Sequence, residues 1–305
     1  MDGGRNHEPD VSARPSGRNR ARRAKRNDIC ARGAGAMSTR RISHERLQHL
    51  AAELPPRDRS ILQMVATLHL VTGSQVVRVH WPAASDADLR AARRTLLRLA
   101  QWRVLARLDR RLGGLGRGSD SWTYAVDTAG QRLLASESGA VARRPHLPRP
   151  AFWAHALAAS EVYTRLVVAT RGTPRSLTQW QGEPEAWRRF AGPYGEPLLL
   201  KPDAFVELDD ASFTDLYFVE IDTGSQSRPV IRAKLGSYLK YAASGQEQAA
   251  QGGVFPRVVF LTTTLPRHGL LVDLLGELPS EHWPLFAVGL VADAPRLLGG
   301  EQISR

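Results

Sequence analysis

Residues 198–208 begin LLLKPDAFV and residues 215–222 read DLYFVEID; these two segments decide the fold of the second half of the chain. Both are rich in apolar, aromatic and β-branched residues over short lengths, which predicts buried strands. Lys201-Pro202-Asp203 lies on the first predicted strand, and Glu220-Ile221-Asp222 ends the second. We therefore expect several carboxylates to gather at one end of neighbouring strands.

The elements around these two strands extend the same α/β pattern, and the class expected for the whole chain is α/β (α+β overall). The further expected elements are a helix over 152–170, a strand over 176–182, a helix over 229–244, a strand over 257–263, a helix over 268–275 and a strand over 285–291. Helix, three strands, helix and strand is the core order of the restriction-endonuclease-like fold. That fold carries Pro-Asp on its second strand and Glu-x-Lys on its third.

The acidic residues on these strands predict a site for a divalent cation. Two carboxylates from neighbouring strands can hold Mg²⁺ or Mn²⁺, and the ion would activate a water molecule against a scissile phosphate. The predicted ligands and catalytic carboxylates are Asp203 and Glu220, with Asp222 and Glu161 as additional oxygen donors. Asp222 stands where the motif has lysine, so we expect Lys234, near the start of the next helix, to supply the catalytic positive charge.

The first half of the chain has the predicted element order of a winged helix-turn-helix. Residues 54–104 predict three helices, the second capped by Ser74 and the third running from Ser85 to Val104. Two strands are expected next, over 105–110 and 121–126, with a glycine-rich loop between them. Three helices followed by a hairpin favour a DNA-binding domain.

Arginine spacing on the third predicted helix supports that interpretation. Arg90, Arg94 and Arg98 recur every four residues and therefore share one face, with Arg93 beside them. Such a helix can direct guanidinium groups at phosphates and guanine edges in the major groove of double-stranded DNA. The alternative is a solvated face in an arginine-rich chain. The loop between the strands would be the wing, with DNA-binding residues Arg110, Arg111 and Arg117.

Composition bounds the remaining organisation of the 305 residues. The formal net charge is +12, and the first 36 residues hold nine Arg or Lys against four Asp or Glu. They lack hydrophobic periodicity, which predicts a disordered basic arm, or an artefact if Met37 is the true start. The predicted domains after the arm are a winged helix over 37–136, a linker over 137–150 and an endonuclease-like domain over 151–305.

Several classes of protein are disfavoured. No apolar run approaches the roughly 18 residues that span a bilayer, and no signal peptide is visible, so we expect a cytoplasmic protein with no membrane partner. A single cysteine, Cys30, excludes an intramolecular disulfide and a cysteine-based zinc site. No Walker loop or Gly-x-Ser-x-Gly motif occurs. We expect His155 to be a structural helix residue and Tyr238 and Tyr241 to be packing residues.

The motifs occur in a particular combination: a winged-helix pattern, then Glu161 on a helix after His155-x-Leu157, then Lys201-Pro202-Asp203-Ala204, then Glu220-Ile221-Asp222-Thr223-Gly224. A basic helix follows, containing Arg228, Arg232, Lys234, Tyr238 and Tyr241. In this combination the chain resembles the replication-relaxation family of actinobacterial plasmids and mobile elements.

The resemblance implies DNA binding at an origin during plasmid replication or mobilisation. Its implied partners are double-stranded DNA and other plasmid replication or mobilisation proteins. Asp222 at the lysine position favours a degenerate nuclease domain that does not cut. The alternatives are an active Mg²⁺-dependent nickase or endonuclease, and a transcriptional regulator or protein-interaction module. The sequence leaves the oligomeric state and the DNA site open.

Overall fold

The computed structural model describes residues 42–108, 122–141 and 149–299. All of them belong to one compact unit, Arg40–Arg305, and the expected mixed α/β class is confirmed. The predicted arm over 1–36 and the wing residues Arg110, Arg111 and Arg117 lie outside the described residues. The predicted domain boundaries stay predictions. None of the helices in the described ranges has the length and apolar character needed to cross a membrane.

The first half contains helices around a small antiparallel sheet whose strand order is β1-β3-β2. Its elements are α1 (His44–Glu53), α2 (Pro56–Leu68), β1 (Val71–Thr72), α3 (Gly73–His80), α4 (Asp86–Gln101), β2 (Leu105–Leu108), β3 (Thr123–Val126) and α5 (Thr128–Ser138). Helix α5 is an element that the sequence analysis did not predict.

Local chemistry sets the ends of the third and fourth helices. Thr72, not Ser74, caps α3: its hydroxyl accepts the Gln75 N–H, and the Gln75 side chain accepts the Thr72 N–H. Ser85 caps α4, and its side chain accepts the Asp88 N–H. Helix α4 ends at Gln101 rather than at Val104, because Arg103 has a φ of 59° and therefore leaves the right-handed helical region.

The second half contains a five-stranded mixed sheet with the order β10-β9-β8-β7-β4 and a separate β5–β6 hairpin. Its elements are α6 (Trp153–Ala169), β4 (Ser176–Gly182), β5 (Arg188–Ala191), β6 (Pro197–Leu200), β7 (Ala204–Asp209), β8 (Thr214–Asp222), α7 (Arg228–Ala243), α8 (Gln246–Ala250), β9 (Arg257–Thr262), α9 (Leu265–Gly276), β10 (Phe286–Leu290) and α10 (Ala294–Leu298). Strands β8, β9 and β10 are parallel, whereas β4, β7 and β8 pair antiparallel.

The single strand predicted over 198–208 is wrong: it is two strands. Strand β6 pairs with β5, and β7 pairs with β4 and β8 in the large sheet. Lys201-Pro202-Asp203 forms the break, since proline has no N–H to donate to a ladder. The register pairs Ala204 with Val219, so Asp203 comes next to Glu220 at the start of β7 and the end of β8.

Helices cover both faces of the large sheet, and this arrangement positions the acidic residues. On one face α6 packs through Val162 and Leu166, and α10 through Leu297 and Leu298. On the other face α7 and α9 pack against Phe218, Phe260 and their neighbours. Side chains from α6, α7 and α9 reach the end of β8: His155 contacts Asp203, Lys234 contacts Glu220 and Arg267 contacts Asp222.

Candidate functional site

Helix α4 has one arginine-rich face and one buried face. Ala92, Leu96 and Leu99 are buried, whereas Arg90, Arg93 and Arg94 are exposed. Within the described ranges none of these three arginines has an ion-pair partner. We call the three residues the α4 arginine face. Unpaired guanidinium groups on one exposed helix face are available to an anionic partner.

Arg98, the fourth predicted DNA-binding residue of α4, is bound inside the protein. Its Nη2 lies 2.5 Å from Oδ2 of Asp58, whose side chain is only 4% exposed. Its guanidinium also lies 5.3 Å from the centre of the Trp102 ring. The ion pair attaches α4 to α2, and a DNA contact by Arg98 stays a prediction.

An additional arginine lies beside the predicted wing. Arg107 on β2 is exposed, and its guanidinium lies 4.2 Å from the centre of the Trp122 ring, just before β3. Sequence reasoning missed this pair, because the two residues are separated by the loop and meet only when β2 and β3 align. Their position at the base of that loop places a cation and an aromatic ring beside the predicted wing.

The second candidate site centres on Glu220, near the end of β8. Its side chain is 2% exposed, and Lys234 Nζ lies 2.5 Å from its Oε2. The Tyr238 hydroxyl donates to its Oε1 at 2.6 Å. Lys234 and Tyr238 are four residues apart on α7 and therefore point from the same face of that helix. The displaced lysine thus reaches the carboxylate for which it was predicted.

Asp203 is held by β8 and by α6, which covers the face of the sheet opposite α7. Its Oδ2 accepts the Ile221 N–H at 2.6 Å, and its Oδ1 lies 3.2 Å from His155 Nε2 in the first turn of α6. The expected structural role of His155 stays a prediction, and the contact identifies Asp203 as its partner. The contact needed α6 to dock against β7, so no local sequence signal could reveal it. We call Asp203, Glu220, Lys234, His155 and Tyr238 the sheet-edge cluster.

Burial and mutual charge set the protonation of the cluster. Burial and the nearby Asp203 carboxylate raise the pKa of Glu220 to about 8, against the opposing effects of Lys234 and Tyr238. Burial lowers the pKa of Lys234, but the Glu220 and Asp203 carboxylates outweigh this effect and raise the pKa of Lys234. Lys234 therefore stays protonated and supplies the positive charge beside Glu220.

The other two carboxylates predicted as metal ligands are bound by arginines. Glu161 accepts from Arg78 of α3 at 3.0 Å and lies 2.8 Å from Arg165, so it joins α6 to α3. Asp222 lies 2.7 Å from Nε of Arg267 in the first turn of α9. The structure thus brings Asp203, Glu220 and Lys234 together. Glu161 and Asp222 are instead each paired with arginine side chains.

The donor set of the cluster fits Mg²⁺ or Mn²⁺ by chemical type. Within residues 42–108, 122–141 and 149–299, no group of three or more His, Cys, Asp or Glu side chains is arranged to hold a metal ion. Mg²⁺ is commonly bound through one or two carboxylates, with water completing its coordination shell. Asp203 and Glu220 therefore supply the type and number of protein ligands that such an ion needs. Thr262, which pairs with Asp222 across β8 and β9, has a buried hydroxyl with no hydrogen-bond partner in the part of the chain that is described.

The His155–Asp203 contact predicts a pH-dependent contribution to stability. Burial disfavours charged His155, but Asp203, assisted by Glu183, outweighs burial and the opposing Lys234 charge and raises its pKa. Burial likewise opposes ionised Asp203, yet His155 and Lys234 lower its pKa. The contribution of His155 to the free energy of unfolding is complete below about pH 6.5 and disappears as the pH rises through the pKa of His155 in the folded protein. The aspartate contribution is present above about pH 4 and disappears in acid.

His155→Gln should therefore destabilise the protein more at about pH 5.5 than at about pH 8.5. Urea unfolding of both proteins at the two pH values measures the difference. His44→Gln, on the exposed start of α1, is the matched control and should show no such difference. An equal loss of stability at both pH values in His155→Gln would contradict a charged pair.

A family model described as replication-relaxation matches residues 62–258, more than half of the chain. This range includes the α4 arginine face and the whole sheet-edge cluster, and it confirms the resemblance found in the motifs. Neither the curated proteins nor the solved structures gave a match.

Proposed function

Because this chain belongs to the replication-relaxation family, we propose that it is a double-stranded DNA-binding protein of plasmid or mobile-element replication or mobilisation. The family supports the role in replication or mobilisation. DNA binding, its location on the chain and the participation of other replication proteins are our proposal. The α4 arginine face is the observation that carries it.

We infer that α2, α3 and α4 with β2 and β3 form a winged helix-turn-helix, in which α4 is the recognition helix. Support comes from the order of these elements and from the sheet β1-β3-β2, which places β2 and β3 side by side. The buried leucines of α4 hold it to the domain, and Arg90, Arg93 and Arg94 point away from it. A helix so arranged can enter the major groove with its cations toward the duplex.

The proposal predicts DNA binding that weakens steeply with salt. Each phosphate contact releases condensed counterions, so the logarithm of the affinity should fall linearly with the logarithm of salt concentration, by about 0.9 per contact. A fluorescence-anisotropy titration of residues 37–305 on a labelled duplex, at several salt concentrations, measures the slope. No affinity at low salt would remove DNA binding and leave a protein-interaction module.

The position of Lys234 favours a second candidate function, metal-dependent cleavage of DNA. Asp203 and Glu220 would hold Mg²⁺ or Mn²⁺, and the bound ion would supply Lewis-acid activation of water. His155 and the Ile221 N–H hold Asp203 in place, and Tyr238 holds Glu220. Lys234, charged and beside Glu220, can orient an attacking water or a phosphate oxygen.

Nicking of supercoiled plasmid tests this second candidate. If the second candidate function holds, the wild type converts supercoiled plasmid to open circles when Mn²⁺ is present, and Asp203→Asn loses this activity by about 100-fold or more. Asp209→Asn, a carboxylate at the far end of β7, is the matched control and should retain the activity. Equal activity of the wild type and Asp203→Asn would assign any nicking to a contaminant. No nicking by either protein would leave the non-cutting DNA-binding function.

A further inference from the structure

Within the sheet-edge cluster, the negative charge of Glu220 is compensated by the Lys234 ammonium group. A buried carboxylate is stable only when a cation or strong donors compensate it. Among the described residues Lys234 is the cation in contact with Glu220, and it lies on the Oε2 atom. The remaining oxygen, Oε1, is taken by the Tyr238 hydroxyl. The ammonium group thus occupies a carboxylate oxygen that a metal ion would need.

A divalent cation and an ammonium group on the same carboxylate repel each other. Two other contacts of the cluster carry no such conflict, because the Tyr238 hydroxyl and the Ile221 N–H are neutral. His155 lies on Asp203, so Lys234 is the cation that contacts Glu220. Lys234 can move, because its long side chain is flexible and 21% exposed. The carboxylates would keep their positions while the ammonium group moved away.

We propose that Lys234 is an internal competitor of the divalent cation at Asp203 and Glu220. Its ammonium group stabilises the cluster when metal is absent and must leave Glu220 Oε2 before an ion binds there. The proposal rests on the second candidate function for the identity of the ligand, but it concerns binding of the ion and not cleavage. It follows that removing the lysine charge strengthens metal binding instead of weakening it.

Titration of Mn²⁺ followed by electron paramagnetic resonance tests the proposal on the full chain without DNA. Lys234→Met should bind Mn²⁺ about tenfold or more tightly than the wild type, because the competing charge is gone. Lys234→Gln, which keeps a hydrogen-bond donor without the charge, should behave in the same way and serves if the methionine variant does not fold. Lys240→Met, an exposed lysine on the same helix, is the matched control and should bind like the wild type.

The variants also separate the possible outcomes. Adding Glu220→Gln to Lys234→Met should abolish the gain, which places the ion at Glu220. Affinity that is unchanged or lower in both Lys234 variants, or no Mn²⁺ binding by any of the proteins, overturns the proposal. Absence of nicking together with tighter Mn²⁺ binding in Lys234→Met would reject the cleavage function alone, so the two failures are distinguishable.

Discussion

Lys234→Met should lower the free energy of unfolding by about 3–5 kcal/mol in metal-free buffer, since it leaves a buried carboxylate without its cation. Glu220 is 2% exposed, and no other cation among the described residues contacts it. Because burial already raises the pKa of Glu220 to about 8, the variant can limit its loss by protonating this group. The full effect is therefore expected at about pH 9, where protonation costs most. Urea unfolding in the presence of EDTA gives the value.

A double-mutant cycle shows whether the loss comes from the Glu220 charge. Lys234→Met combined with Glu220→Gln should recover most of the stability, because the buried group is then neutral. Lys240→Met should stay within about 0.5 kcal/mol of the wild type, as expected for an exposed position. A loss below about 1 kcal/mol in Lys234→Met would mean that the pair behaves like a surface ion pair.

Much of this cluster was predictable because its signals are local. The strand that ends in Glu220-Ile221-Asp222 is apolar and short, and Lys234 lies near the start of the next helix. A helix that follows a buried strand packs back on the sheet, so a lysine in its first turns can reach the strand end. The break at Pro202 was also readable, yet the continuous apolar run on both sides hid it.

The ion pairs between arginines and the predicted metal ligands Glu161 and Asp222 were not predictable from the sequence. Arg78 and Glu161 are far apart in sequence, as are Arg267 and Asp222. The first pair forms only when two helices dock, and the second only when α9 docks against β8. An isolated motif shows which residues could bind a metal, but not which of them another side chain has already engaged. The contact between His155 and Asp203 was unpredictable for the same reason, since it depends on how α6 lies against the sheet.

Replacing the α4 arginine face should have the largest effect on DNA binding. Arg90→Ala, Arg93→Ala and Arg94→Ala combined should lower the affinity for duplex DNA by about 100-fold or more at low salt. If each arginine contacts a phosphate, the salt slope should fall by about 2.7. Arg98 is left in place because its removal would leave Asp58 buried without a cation. The melting temperature should not change, since all three substituted residues are exposed.

A matched triple variant separates a defined DNA contact from the effect of net charge. Arg189→Ala, Arg257→Ala and Arg296→Ala remove the same three charges from exposed positions in the second half of the chain. Distant exposed charges are largely screened at about 0.15 M salt, so this control should bind nearly as tightly as the wild type there. Equal losses in the two triple variants would show that the protein binds DNA through its overall charge. A loss confined to the α4 variant would instead place the duplex against α4, because only that helix has changed.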